Sequence, residues 1–128
     1  MAIQKYRRVV APGQDQEKVL LFYWDTLALG DEGKPLSLPA NADVSIHAYG
    51  TFSTATLKLR GTNQPLAVPT QWATLSDPNG NDLLIDAADQ TAGKNAEQVL
   101  EHMLQYSPIV VSGDGSTAIN VYLLAVRP

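Results

Sequence analysis

Three features of the chain carry residue types that could do chemistry. Gly30-Asp31-Glu32-Gly33-Lys34-Pro35 has the glycines and lysine of a loop that wraps phosphates in backbone N–H groups. Such a loop needs four residues between its glycines, and a Ser or Thr after the lysine to hold magnesium. Here two residues separate the glycines and Pro35 follows Lys34, so the stretch is expected to be a strand-connecting loop. Asp77-Pro78-Asn79-Gly80-Asn81-Asp82 sets oxygen ligands at alternate positions, as a calcium loop begins. The sixth position of that loop should be glycine and the twelfth a bidentate glutamate. They are Asp82 and Ala88. Pro78 and Asn79-Gly80 are the residues a tight turn requires, one presetting φ and the others tolerating positive φ. His47 and His102 stand far apart and in no paired ligand spacing, so they define no zinc site.

No serine lies in a Gly-x-Ser-x-Gly elbow. The carboxylates Asp31, Glu32, Asp77, Asp82 and Asp114 fall in turns, where carboxylates usually serve the turn. A glycosidase pair is defined by separation in space, which spacing in sequence does not fix. The expectation is a protein that is not an enzyme, with no catalytic residue, no metal site and no cofactor. Trp24, Trp72, Tyr49 and Tyr122 lie on stretches that look like strands. An exposed pair of such rings could stack on sugars, although core or interface packing is the commoner use of large aromatics.

The elements that must position these residues are bounded by composition. A chain of 128 residues fits one domain with one core. Charged residues are 17% of the chain and hydrophobic residues 45%, which excludes an intrinsically disordered polypeptide. The net charge of −4 points away from nucleic acid, whose binders carry a basic face. There is no cysteine, so disulfides, thiolate zinc and cysteine nucleophiles are excluded together. The longest apolar run, Val19 to Trp24, is far short of the ~20 residues of a membrane helix. The N-terminus has basic residues without the apolar stretch of a signal peptide, so a protein made in the cytosol is expected, with no membrane partner.

Residues 1–17 are expected to form an extended N-terminal arm, basic at Lys5, Arg7 and Arg8 and polar at its end. Residues 18–128 are expected to form a single β-sandwich domain. Val19-Leu20-Leu21-Phe22-Tyr23-Trp24 has the bulky, β-prone character of a strand partly covered on both faces. Val44, Ile46 and Ala48 alternate with Ser45, His47 and Tyr49. Ala55, Leu57 and Leu59 alternate with Thr56, Lys58 and Arg60, and Ile119, Val121, Leu123 and Ala125 with Asn120 and Tyr122. Shorter strands are expected at 71–76, around Leu83, Ile85 and Ala87, and at Ile109-Val110-Val111, before the Gly113-Asp114-Gly115-Ser116 turn. Ala96, Val99, Leu100, Met103 and Leu104 have helical spacing, and Asn95 with Gln98 offers a weak capping box. The fold expected is mainly all-β, a β-sandwich or jelly roll of about seven or eight antiparallel strands, with one short helix near 96–105.

The order of motifs resembles a known family. Tyr49-Gly50-Thr51-Phe52 is followed by Ala55-Thr56-Leu57-Lys58-Leu59-Arg60-Gly61-Thr62-Asn63 and by Trp72-Ala73-Thr74-Leu75-Ser76-Asp77-Pro78-Asn79-Gly80-Asn81. Val111-Ser112-Gly113-Asp114-Gly115-Ser116-Thr117 and Val121-Tyr122-Leu123-Leu124-Ala125-Val126-Arg127 complete the series. Residues 43–127 resemble the small β-sandwich head decoration, or cement, proteins of tailed bacteriophages, with looser similarity from Val19 to Pro39. Two departures stand out. Asn63-Gln64-Pro65-Leu66-Ala67-Val68-Pro69 is a longer and stiffer loop than the family's, and Tyr106-Ser107-Pro108 lacks the family's arginine.

The resemblance implies a structural virion protein that binds the outer surface of a phage capsid and cements neighbouring subunits. Its partners would be the major capsid protein and further copies of itself, as a dimer or trimer on the lattice. Lys5, Tyr6, Arg7 and Arg8 would then extend onto a neighbouring subunit, since an unstructured arm can wrap a large surface and repeated copies add avidity. A carbohydrate-binding module, or a tail or baseplate structural protein, is compatible with the same strand pattern.

Overall fold

A computed structural model describes residues 2–128; Met1, at the tip of the expected arm, lies outside the described residues. The strands are β1 (Ile3–Gln4), β2 (Tyr6–Val9), β3 (Val19–Leu27), β4 (Glu32–Gly33), β5 (Leu36–Ser37), β6 (Asp43–Thr51), β7 (Thr56–Thr62), β8 (Ala73–Thr74) and β9 (Leu84–Asp86). The helix α1 (Ala87–Thr91) follows, then β10 (Ala96–Gln98), β11 (Gln105–Val111) and β12 (Ala118–Val126). One sheet has the order β1-β4-β11-β7-β8, with β5 also on β11 and β9 on β7; the other runs β10-β6-β12-β3-β2. Every pairing is antiparallel except the short parallel β1–β4 pair.

The chain is an all-β sandwich with one short helix. The strands beyond the seven or eight expected are short ones of two to four residues. Period-two alternation fills the core as expected. Val44, Ile46 and Ala48 of β6 and Ile119, Val121, Leu123 and Ala125 of β12 share it with Leu57 and Leu59 of β7, Ile85 of β9 and Val110 of β11. Burying each of the larger aliphatic side chains stabilises the fold by roughly 1.5–3 kcal/mol. At the end of β6, Gly50 has φ 132 and lies so close to the next strand that a Cβ would fall on the Ala118 carbonyl oxygen. Only glycine fits there.

The helix does not lie at 96–105. Ala96–Gln98 is instead an edge strand on β6, and the segment after it is irregular. Its backbone donors go to other parts of the fold: Val99 N–H to the Val44 carbonyl, Leu100 N–H to that of Ser76, and Met103 N–H to the Tyr106 hydroxyl. Val99 is buried and Met103 packs against the core, but Leu100 is 53% exposed and Leu104 40%, so the apolar stripe never faces one partner. The helix forms at 87–91, where Ala87 had been expected to continue a strand. Asp86 and Asp89 close a reciprocal capping box at its start. Gly93 at φ 73 ends it, with Lys94 N–H donating to the Asp89 carbonyl and Gly93 N–H to that of Gln90.

The N-terminal segment also departs from expectation. Residues 3–9 are tied into the sandwich, with β1 beside β4 in one sheet and β2 along β3 in the other. The reason is non-local: β3 offers an otherwise unpaired edge, and β2 satisfies its backbone groups. Asp31 anchors the start of the segment. Its carboxylate accepts hydrogen bonds from Ala2 N–H at 2.9 Å, the Gln4 side-chain amide at 3.0 Å and Ala28 N–H at 3.0 Å. Burial alone would raise its pKa, but these donors outweigh burial and hold it below the ordinary carboxyl value.

A depressed folded pKa stabilises the protein fully above the ordinary 3.8, and the contribution disappears as pH falls through the lower folded value. Asp31→Asn is therefore expected to cost about 2 kcal/mol at pH 7. The gap to wild type should begin to narrow below about pH 4 and shrink further as pH falls through the lowered folded value. Urea melts of both proteins across pH 2–7 check this; a gap independent of pH would contradict it.

Candidate functional site

The outer face of the five-stranded sheet is a candidate surface. Strand register places Arg7, Tyr23, Tyr122 and His47 side by side across β2, β3, β12 and β6. The next row is Val9, Leu21, Leu124 and Ser45. These side chains point away from the core because their neighbours Trp24, Val121, Leu123, Ile46 and Ala48 point into it. The aromatic row is continuous. The Arg7 guanidinium lies 5.0 Å from the centre of the Tyr23 ring. Tyr23 and Tyr122 are 4.5 Å apart, Tyr122 and Tyr49 stack at 6.1 Å, and His47 is 5.7 Å from Tyr49. Beside it runs an open groove of about 430 Å³ walled by Val9, Val10, Pro12, Leu21, Tyr122 and Leu124, together with Ser45 and His47.

A bulge ends the row. Between Trp24 and Leu27, two residues of β3 face the single Asn120 of β12. Thr26 takes φ 52 there, a strained value for a β-branched residue. Its N–H donates to Asn120 Oδ1 at 3.0 Å and its hydroxyl to Asp25 Oδ1 at 2.7 Å. The Tyr23 hydroxyl reaches the same carboxylate oxygen at 3.4 Å. Burial raises the pKa of Tyr23 and of Tyr122, and the adjoining Tyr49 phenol and Asp25 carboxylate push them the same way. Tyr23 is buried with its hydroxyl turned to Asp25, so the part of the row left to a partner is the partly exposed Tyr49 and Tyr122.

The four residues expected to contact a neighbour sit at one edge of this face. Lys5 is exposed between β1 and β2. Tyr6 turns inward, edge-on to Phe22 at 5.8 Å and to Trp24 at 5.9 Å. Arg7 joins the aromatic row, and Arg8 donates to the Gln16 carbonyl of its own chain. Of the aromatics singled out from sequence, Trp24 is fully buried, whereas Tyr49 and Tyr122 stand on this face. Trp72 is on the opposite sheet, over the Arg60 guanidinium at 4.4 Å. Tyr23 was missed because its place beside Tyr122 is set by strand register rather than by spacing in sequence.

The 77–82 stretch is a turn, whereas the 30–35 stretch, expected as a loop, contains a strand. Asp77 Oδ1 accepts from Asn79 N–H and Asn81 N–H, Gly80 takes φ 83, and Ser76 bridges Asp82. In the Gly30–Pro35 stretch, Glu32 and Gly33 form β4. His102 lies near Asp43, at 3.7 Å, and His47 remains exposed on β6. No group of three or more metal-ligating side chains comes together among the described residues. What the five-stranded face can do is dock: partly exposed tyrosines stand beside an open, mainly apolar groove. Compared with known protein families, curated proteins and solved structures, the chain finds no match in any of the three.

Proposed function

We propose that the chain is a structural virion protein that lies on the outer surface of a tailed-phage capsid and cements it by bridging neighbouring capsid subunits. The observation that carries this reading is the open face of the five-stranded sheet. Tyrosine and arginine are the residues that concentrate in protein interfaces, where a large apolar body and a polar tip both find partners. A contiguous apolar and aromatic surface left open by a small domain marks an interaction site. The capsid as partner comes from the motif resemblance, as does assembly with further copies on the lattice.

In this reading Arg7 contributes from within the docking face, and Lys5 and Arg8 flank it as exposed cations. The basic segment thus acts from the edge of the sheet, without leaving it. Leu124→Asp, alone and with Leu21→Asp, tests the face. Each substitution puts a charge in the apolar row, and a buried unpaired charge costs an interface several kcal/mol. Occupancy on capsids is expected to fall at least tenfold while circular dichroism and thermal melting show a folded protein. Unchanged occupancy with the double variant would remove the face from the contact.

A further inference from the structure

The sandwich has a second surface, on the seven-stranded sheet, built around loop 63–71. Loop 63–71 is held rigidly. Gln64 Oε1 accepts from Thr70 N–H at 2.8 Å and Gln71 N–H at 2.9 Å. The Gln105 amide donates to the Gln64 carbonyl at 3.0 Å and the Leu66 carbonyl at 2.7 Å. The pinned loop leaves Val68 80% exposed, and its Ala67, Val68 and Pro69 wall a cavity of about 210 Å³. Glu32, Lys34, Arg60 and Trp72 line the same cavity. A second hollow of about 230 Å³ shares Arg60 and Trp72 and adds Lys58 and Thr74.

Trp72 is therefore a ridge between two hollows, and it is fixed in place. Glu32 holds the Arg60 guanidinium at 2.8 Å, and Ser107 Oγ lies 3.4 Å from the same nitrogen. Arg60 is only 16% exposed and its guanidinium sits over the indole, while Trp72 itself is partly exposed and borders both hollows. A flat apolar ring, preorganised and flanked by charged hydrogen-bonding groups, matches the apolar face and hydroxyl rim of a pyranose. Lys34 and Lys58 have no carboxylate partner, since the ion pairs among the described residues are Glu32–Arg60 and His102–Asp43. The two free amines give the site a surplus of positive charge on a chain whose net charge is −4.

We propose that Trp72, Lys34 and Lys58 form a glycan site selective for carboxylated pyranoses. The indole carries the ring, and one amine in each hollow, Lys34 on one side and Lys58 on the other, holds a carboxylate or hydroxyl of the sugar. The site lies on the sheet opposite the capsid-docking face and does not depend on that reading.

Titration with tri-galacturonic acid and with neutral galactotriose, followed by the two indole N–H resonances, tests it. The signal of Trp72 should shift saturably with the acidic sugar up to about 10 mM, a weak affinity of the order expected for a few contacts. The signal of buried Trp24 should stay in place. The neutral sugar should bind at least threefold more weakly, and Lys34→Ala should remove most of that difference while leaving the Trp72 signal as reporter. Trp72→Ala should abolish the response of neighbouring backbone amides. Equal shifts with both sugars, or none with either, would overturn the proposal.

Discussion

Replacing Trp24 with alanine is expected to destabilise the protein by about 3–5 kcal/mol, the range for emptying a large aromatic site in a packed core. Trp24 is 0% exposed and lies opposite Val121 in the middle of the five-stranded sheet. Its ring crosses the core, and its Nε1 donates to the Lys34 carbonyl at 3.3 Å, just beyond β4 in the other sheet. The fit is tight on that side: a Cβ on Gly33 would come within 2.6 Å of Trp24 Nε1 and of the Pro108 ring. Tyr6 covers the remaining edge.

Alanine would therefore leave a cavity, an unpartnered carbonyl and a loosened N-terminal strand together. Trp24→Phe, which keeps most of the volume but loses the hydrogen bond, should cost less than half as much. Urea denaturation gives both numbers. A loss below about 1 kcal/mol for Trp24→Ala would mean that the two sheets are not coupled through this residue.

Deleting residues 2–9 is expected to destabilise by an amount on the order of 3 kcal/mol and to make the protein self-associate. β2 is the partner of β3 from Tyr6 opposite Trp24 to Val9 opposite Leu21. Without it, the nine-residue β3 becomes an open edge carrying Phe22 and Trp24, the kind of strand that pairs with other chains. A free arm would behave in the opposite way, since its removal would leave melting and monodispersity unchanged. Thermal melting and light scattering of the truncated chain separate the two. An unchanged midpoint and a monodisperse species would restore the free arm.

Much of the sandwich was legible because its long strands alternate. In β6, β7 and β12 every second residue is apolar, and a period of two admits one answer about which side faces the core. The helix was misplaced because an i, i+3, i+4 stripe at 96–104 is only a pattern, and β6 had an edge free to claim residues 96–98. The local signal at Asp86 and Asp89 was present and stronger in mechanism, since both side chains close the cap. β2 was illegible for a different reason. Tyr6-Arg7-Arg8-Val9 is too short and too charged to declare a strand, and it becomes one only because β3 lies alongside it.

The same limit governs the surfaces. Nothing in spacing separates Trp24, sealed in the core, from Trp72, partly exposed beside Arg60. The row of Arg7, Tyr23 and Tyr122 exists only once three strands are in register.

Binding to capsids is the most direct test of the cementing role. Purified protein is sedimented with expanded tailed-phage heads from which decoration has been stripped, and in parallel with unexpanded proheads. A cementing protein should bind expanded heads saturably at a fixed ratio to capsid subunits and raise their heat resistance, and should lose both effects with Leu21→Asp and Leu124→Asp together. Failure to sediment with either shell would contradict the capsid reading.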